Sequence, residues 1–573
     1  MENLIVGIDL GTTNSVVSVI DEEKNPMTIE VDGVKLLPSV VSLAENGFMV
    51  GQIAKNMLVL EPSKTIASIK RHMGEDIVFP IGDKNMRPEE ISGLILKKIK
   101  QAVVNVFSLN ENDALRAVIT VPAYFTEVQR DATKEAAELA GLKVERIINE
   151  PTAAALAFGL SKMDEAVYAI YDFGGGTFDV SIIESNQGLV EVLASTGNNH
   201  LGGDDIDNKL ADYLWHKFLA TNHLPKETLR SDNEKARLIR IAERTKIQLS
   251  DTDSVTIQES FFANIKGINH HLEITVQRSD FENLIQSIVN ETIQHLRKAV
   301  QESGLTFAEL DGIVLVGGSS RIPLVTEQIE AQLDISPTLI DLPDEAVSHG
   351  AAIQGAIIDG VDIDTVLVDI TPHSLGIAVA DHTTMRFMQG GMQLLSAPII
   401  SKNTPIPVKR TNKFSSASPF QEKYHVQIFQ GEHYYYNENK EIGDTMLEVL
   451  KPNEEGEIEV TFALDVNGLL QVTAVEVNTG EKVQVELKSS RGKKIKSNKL
   501  QHLNIVTNTS DVDHILLTRS DILLADTNLN EEDKAELQDL SDRFRAALEE
   551  DTPSVSPLEN ELLDLLYYLE SNK

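Results

Sequence analysis

No cysteine occurs anywhere in the chain. That absence excludes disulfides, thiolate metal sites and a cysteine nucleophile together, and it fits a reducing compartment. Long hydrophobic runs are missing too: nowhere do roughly 18 uncharged apolar residues follow one another, as a membrane helix requires. Met1-Glu2-Asn3 brings no basic segment ahead of the first apolar run, which Asp9 interrupts. A cytoplasmic protein without a membrane partner is therefore expected. Basic residues are scarce, with 51 Lys and Arg against 88 Asp and Glu and a formal net charge of −37. Nucleic-acid phosphates are gripped by clustered Lys and Arg, so no nucleic-acid partner is expected. Neither G-x-x-x-x-G-K-[ST] nor G-x-G-x-x-G is found, which removes Walker-type and Rossmann phosphate sites.

What is present is a chain of 573 residues, 42% apolar and 24% charged, too long for one core and ordinary for a globular protein. Over residues 1–360, short apolar runs such as AVITVPAYF (117–125), AVYAIYDFGGGTFDVSII (166–183) and DGIVLVGGSSRIP (311–323) alternate with helical spacing, as in DATKEAAELAGL (131–142). That pattern is α/β. Residues 361–371 are β-branched and extended, a linker able to bury itself. Period-two alternation then takes over in 372–490: Tyr424, Val426 and Ile428 share a face, and Ile458, Val460, Phe462 and Leu464 run into a D-V-N-G turn at 465–468. This predicts an antiparallel β domain. Residues 491–573 begin with the basic RGKKIK (491–496) and turn helical: Asn530 can cap a helix whose Leu537, Leu540, Phe544 and Leu548 share a face, Pro553 and Pro557 interrupt, and ELLDLLYYL (561–569) resumes.

The stretch with most to explain is IVGIDLGTTN (5–14), an apolar strand that ends on Asp9 and passes into a hydroxyl-rich turn. YDFGGGTFD (171–179) repeats it: strand, Asp172, apolar residue, glycine, then threonine. Duplication suggests two similar half-domains facing each other. Glycines let backbone N–H groups approach phosphate oxygens and the hydroxyls add donors, while Asp9 and Asp172, one from each half, suit a magnesium ion held through water. Each turn taken singly also reads as a hairpin with a solvated aspartate; the pair, together with VGGSSR (316–321), reads as a phosphate site.

These residues carry a resemblance. The chain is similar to the heat-shock-protein-70 (DnaK-type) chaperones, in GIDLGTTNS (7–15), IKRHMG (69–74), VPAYF (121–125), INEPTAAALAFGL (148–160), DFGGGTFDVS (172–181), HLGGDDID (200–207), AERTKIQLS (242–250), VLVGGSSRIP (314–323) and DEAVSHGAA (344–352). The resemblance implies a multidomain α/β plus β chain: a two-lobed actin/hexokinase-like ATPase domain (1–360), the linker (361–371), a β-sandwich peptide-binding domain (372–490) and a short C-terminal helical lid (491–573). It implies ATP/ADP and Mg²⁺ as cofactors. Gly11, Thr12, Thr13 and Asn14 become the first phosphate loop, Gly174, Gly175, Gly176 and Thr177 the second, with Gly202 and Gly203 beside them. Asp9, Asp172 and Glu150 would surround magnesium through water, Asp179 would lie close to the attacking water, and Lys70 would orient that water and offset γ-phosphate charge. Adenosine would sit between Glu243, Lys246 and Ser250 on one side and Gly317, Gly318, Ser319 and Arg321 on the other, with Asp344 nearby. Phe414, Ala417, Tyr424, Val426 and Ile428 would surround an extended apolar peptide, although alternation alone equally predicts sandwich core. Val366, Leu367, Val368 and Asp369 would dock on the nucleotide domain, with Arg146 as the partner of Asp369 and Pro122 and Arg130 as a relay. Unfolded or extended polypeptides and a J-domain co-chaperone are the implied partners.

Departures from the family pattern lie in three places. Residues 71–92 are shorter than usual, which leaves nucleotide-exchange-factor contacts open. DHTTMRFMQGGMQLLSA, between GIAVA (376–380) and PIISKN (398–403), is an insertion that either shields the peptide channel or adds a strand. The helical end is short and closes on YYLESNK without an acidic EEVD. A short or specialised ATP-driven chaperone is the leading expectation. An actin-fold small-molecule kinase or filament-forming ATPase, and a nucleotide-binding regulator without turnover, are the alternatives.

Overall fold

The computed structural model describes residues 4–571 apart from 111–112, 160–164, 362, 364, 381–392, 450–451, 486–499, 501–502, 506–514, 527–528 and 551–554. The basic stretch at 491–496 and most of the insertion call thus lie outside the described residues.

Two sheets built on one plan organise the first 360 residues. In the first, Ile5–Asp9 pairs antiparallel with Asn14–Ile20 and parallel with Leu115–Val121, which pairs in turn with Leu142–Asn149. In the second, Glu165–Phe173 pairs antiparallel with Phe178–Asn186 and parallel with Gly312–Val316. The repeated motif therefore sits at the same topological position in both sheets, at the turn of the leading hairpin. Strand register follows from burial, because near-continuous apolar runs such as Ala169–Phe173 are covered on both faces. The helix expected over 131–142 starts earlier, at Glu127, where Thr126 and Gln129 form a capping box, and ends at Leu139 with Gly141 at φ 77°.

Two small-residue helices, Glu150–Phe158 and Ala346–Ile358, join the halves. They approach so closely that a Cβ added at Gly350 would run into the backbone of Ala153, and one added at Gly7 would strike the backbone of Ala351 and Ala352. The alanine-rich stretches EPTAAALAF and AVSHGAAIQGAII thus pack backbone against backbone, buried almost all round.

Beyond the two-lobed domain, Val366–Ile370 continues the second sheet, parallel to Leu189–Asn198 and antiparallel to Pro405–Ile406. The sandwich that follows stacks Leu394–Ile400, Leu375–Ala380, Lys423–Gln430 and Lys440–Glu448 on Val408–Ser415, Glu457–Leu464, Leu470–Glu476 and Lys482–Val485. The described end of the insertion joins this sheet: Leu394, Leu395, Ser396 and Ala397 pair with Ala380, Val379, Ala378 and Ile377. The trimmed 71–92 region folds as a small hairpin, Phe79–Ile81 with Lys84–Met86.

Three helices close the described chain, Ile515–Leu524, Glu531–Glu550 and Val555–Ser571. Asn530 accepts from the Asp533 N–H at 2.8 Å, as its cap position predicts. Pro557 does not interrupt; it sits in the first turn of the last helix, where no backbone N–H is needed. The apolar faces of these helices meet Val40, Met49, Ala54, Met57 and Val59 of the two-lobed domain rather than the sandwich.

Gly350→Leu is expected to force the two joining helices apart, lowering stability by about 1–3 kcal/mol, measured as a lower Tm of the full chain.

Candidate functional site

The two repeated turns meet across a cavity of about 650 Å³. Asp9, Gly11, Thr12, Thr13 and Asn14 enter it from one sheet and Asp172, Gly174, Gly175 and Thr177 from the other. The loops interlock: a Cβ at Gly175 would collide with Thr13, and one at Gly176 with Thr12. Both turns are hairpins, yet neither aspartate is fully exposed. Asp172 is buried, and Asp9 accepts a hydrogen bond from Thr120 at 2.8 Å. The third loop closes the floor, with Gly317 at φ 82° lying against Asp172 and Phe173, where a side chain would not fit.

At this floor Lys70 is paired with Glu150, both buried. The strand-end carboxylates Asp9 and Asp172 share its field, as does Asp179. Burial works against the Lys70 ammonium, but Glu150, Asp9 and Asp172 outweigh it and hold its pKa above the ordinary lysine value. Burial lifts the carboxylates: Glu150 to about 6, Asp179 to about 8 with Glu150 adding to the effect, and Asp172 well above its usual range, helped by Glu150, Asp179 and Asp9. Three buried carboxyls, Glu150, Asp172 and Asp179, and the half-buried Asp9 share one ammonium, a cluster short of positive charge. Asp179 Oδ2 and Thr13 Oγ1 are buried with no protein partner.

On the far side, Glu243, Lys246 and Ser250 of helix Asp232–Asp251 face Gly318, Ser319, Arg321 and Asp344 across the same cavity. Lys246 is tied to Asp207 at 2.8 Å, and Arg321 to Asp344 at 2.7 Å. Glu243 reaches across the cleft to Lys55 of helix Gln52–Leu60 at 2.8 Å. Asp179, Gly176, Gly202 and Gly203 lie behind the lining: Asp179 accepts from the Tyr124 N–H at 3.0 Å, Gly176 from Arg71 Nε at 3.0 Å, and a Cβ at Gly202 would meet Gly175. Sequence reasoning missed the apolar lining, including Leu36, Ile247, Leu339 and Val347. Ile247 offered a signal, being an isoleucine on the polar side of an amphipathic helix and 58% exposed.

In the sandwich, Tyr424, Val426 and Ile428 are buried in the core, Phe414 packs at its edge and Ala417 is exposed. At the joint, Asp369 is buried and takes both hydrogen bonds from Asn149 Nδ2, each 2.8 Å. Asn149, rather than the expected Arg146, is thus the hydrogen-bonding partner; Arg130 and Arg146 act on Asp369 through their charge. Arg130 donates to Asn149 Oδ1 at 2.6 Å and to the Ala123 carbonyl, next to buried Pro122, at 3.2 Å. Val366 is 62% exposed, whereas Leu367 and Val368 are half-buried.

Two interlocked phosphate-type turns, one from each half of a duplicated α/β fold, define a two-lobed ATPase-type domain of the actin/hexokinase class, here followed by a β-sandwich and a helical end. The family model described as Hsp70 protein matches residues 5–81 and 77–563. The chain belongs to the Hsp70 family, whose members are ATP-binding chaperones with ATPase activity that act on unfolded polypeptides with J-domain co-chaperones. Among the described residues no helix is long and apolar enough to cross a membrane.

His373, just past the linker strand, was not singled out by any motif. Its Nε2 donates to the Tyr124 carbonyl at 3.3 Å, and the two rings lie 4.3 Å apart. Burial, with Lys402, Arg130 and Lys440 adding to it and the Tyr124 carbonyl opposing, pushes its pKa down to about 4. A free histidine titrates near 6.5, so docking expels a proton; the favourable contribution is complete above that value and is lost as pH falls toward 4. Glu127 faces the sandwich from the other side of the joint with the opposite sign. Burial, with Asp465 adding and Arg130 and the Leu470 N–H opposing, lifts it to about 8, so acid favours docking there. Comparing wild type with His373→Leu isolates the histidine: at pH 5.5 protonation should weaken wild-type docking about tenfold relative to the variant, with no difference at pH 8. Fluorescence transfer between one engineered cysteine in each domain of the otherwise cysteine-free chain measures it.

Proposed function

We propose that this protein is an ATP-dependent molecular chaperone that binds extended apolar segments of unfolded proteins, and that slow hydrolysis of ATP to ADP and phosphate controls their capture and release through the linker. The observation that carries this reading is the convergence of two Gly-Thr turns on one cavity whose floor holds Asp9, Glu150, Asp172 and a single lysine, with Asp179 behind them. The phosphates would lie along the N–H groups of Gly11 to Asn14 and Gly174 to Thr177, with adenosine between Glu243, Lys246 and Ser250 and the Gly318 to Arg321 loop. Arg321 would stack on the base as a flat guanidinium.

The charge deficit at the floor, and the unpartnered Asp179 Oδ2 and Thr13 Oγ1, fit a divalent cation. Among the described residues no trio of His, Cys, Asp or Glu is arranged to ligate a bare ion, so Asp9, Asp172 and Glu150 would hold Mg²⁺ through its waters. Bound there, the ion supplies charge neutralisation for the phosphates. Lys70 orients the attacking water and faces the γ-phosphate, while Asp179 and Thr177 hold that water in line. Phosphoryl transfer needs little more than positioning and electrostatics, which these residues supply.

Peptide would run along the sandwich near Phe414 and Ala417, above the floor formed by Tyr424, Val426 and Ile428. In this reading the sandwich seated on the nucleotide domain, with the linker in that domain's sheet and the C-terminal helices away from the sandwich, would be the open, ATP-side arrangement. Hydrolysis would release the linker and close the site. A J-domain co-chaperone is the expected partner and the cytoplasm the expected compartment.

Single-turnover hydrolysis by the full chain tests this. Lys70→Ala should slow the chemical step at least about a hundredfold while ATP still binds; an unchanged rate refutes the role. Val366→Asp with Leu367→Asp should abolish stimulation of turnover by a Leu-rich peptide and leave nucleotide affinity intact, measured by steady-state phosphate release.

A further inference from the structure

The C-terminal helices do more than rest on one lobe. A single helix, Val555–Ser571, holds both. Toward the first lobe, Glu559 accepts from Asn56 Nδ2 of helix Gln52–Leu60 at 2.6 Å. Toward the second, Asn560 and Asp564 accept from Arg240, the former at 3.2 Å, and the Tyr567 ring lies 4.8 Å from the fully buried guanidinium of Arg237. Positions 560, 564 and 567 fall on one stripe of a helix, and 559 is its neighbour. Arg519, from the first helix of the bundle, adds a bridge between Glu61 at 3.3 Å and Glu570 at 2.9 Å. Beneath these polar contacts, Met57 and Val59 share an apolar cluster with Leu516, Phe544, Leu562 and Leu566.

The place gripped matters. Arg237 and Arg240 belong to helix Asp232–Asp251, and Arg240 is one turn from Glu243, which lines the nucleotide cavity and bonds Lys55 across the cleft. The helix that would cover adenosine is thus clasped from outside one turn before Glu243, and the clasp is anchored on the opposite lobe.

We propose that helix Val555–Ser571 is a strap across the mouth of the cleft, and that Asp564, Asn560 and Glu559 are positioning residues of the nucleotide site which set the rate of nucleotide release. The inference rests on the nucleotide reading above. Release requires the lobes to part; parting them breaks either the Arg240 contacts or the Asn56 contact, so the strap adds its own grip to the barrier. Coupling is reciprocal: a nucleotide that holds the lobes together also holds the strap down.

The test uses the full chain, Mg²⁺ and a fluorescently labelled, non-hydrolysable ATP analogue chased with unlabelled ATP. Asp564→Asn and Arg240→Gln are each expected to speed release about tenfold with association unchanged. The double variant should fall well short of the product of the two effects, because both cut the shared Arg240–Asp564 tie and differ only in the Asn560 and Arg237 contacts. Glu559→Gln, which loosens only the first-lobe end and leaves Arg237 and Arg240 untouched, should act in the same direction. Hydrogen exchange across Val555–Ser571 should slow on nucleotide binding in wild type and not in Asp564→Asn, a response that a merely structural role would not give. Release rates within twofold of wild type in all three single variants overturn the strap while leaving the nucleotide site standing. Failure of the wild type to bind the analogue overturns the nucleotide reading and the strap with it.

Discussion

The buried pair of Lys70 and Glu150 is the interaction on which the rest depends. A lysine ammonium without a partner is rarely tolerated inside a protein, and this one is tolerated because carboxylates from both lobes surround it. Asp9 comes from the first sheet, Asp172 and Asp179 from the second, and Glu150 from the helix that joins the halves. The floor of the cleft can therefore exist only when the two halves are in register. The same charge balance, still short of cations, is what suits the site to a hydrated metal and a triphosphate.

Register between the halves is fixed by small residues. Gly350 against Ala153, and Gly7 against Ala351 and Ala352, bring backbones close enough that the joining helices act as a hinge pin. Beside that contact the turns that carry Thr12, Thr13, Gly175 and Gly176 interlock at the base of the cleft. At the rim the lobes meet again, where Lys55 pairs with Glu243 and the C-terminal helices cross.

The joint to the sandwich uses the same economy of buried polar groups. Asn149, directly before Glu150 in the chain, holds Asp369 of the linker strand, and Arg130 holds Asn149. Tyr124 offers its N–H to Asp179 and its carbonyl to His373. Two short hydrogen-bonded paths thus connect the sandwich joint to the carboxylate cluster, in a buried setting that strengthens them.

Much of this was legible in the chain alone, because local chemistry was unambiguous there. A strand ending on aspartate and running into Gly-Thr turns, written twice, announced the paired loops; alternation at 424–428 and 458–464 announced the sandwich; and Asn530 announced its helix. The physical reason is that these signals are short-range, set by backbone freedom, strand periodicity and capping. Other features depended on which surfaces meet. Lys70 had no distinguishing neighbours in sequence, Arg146 was the expected partner of Asp369 where Asn149 makes the hydrogen bonds, Pro557 looked like a break, and His373 carried no signal. Nothing in ELLDLLYYL says whether its apolar face covers a sandwich or a nucleotide domain, since an amphipathic stripe specifies that it must be buried and not by what. Only the tertiary structure, by matching that stripe to Met57 and Val59 and its acidic edge to Arg240, decided where it lies.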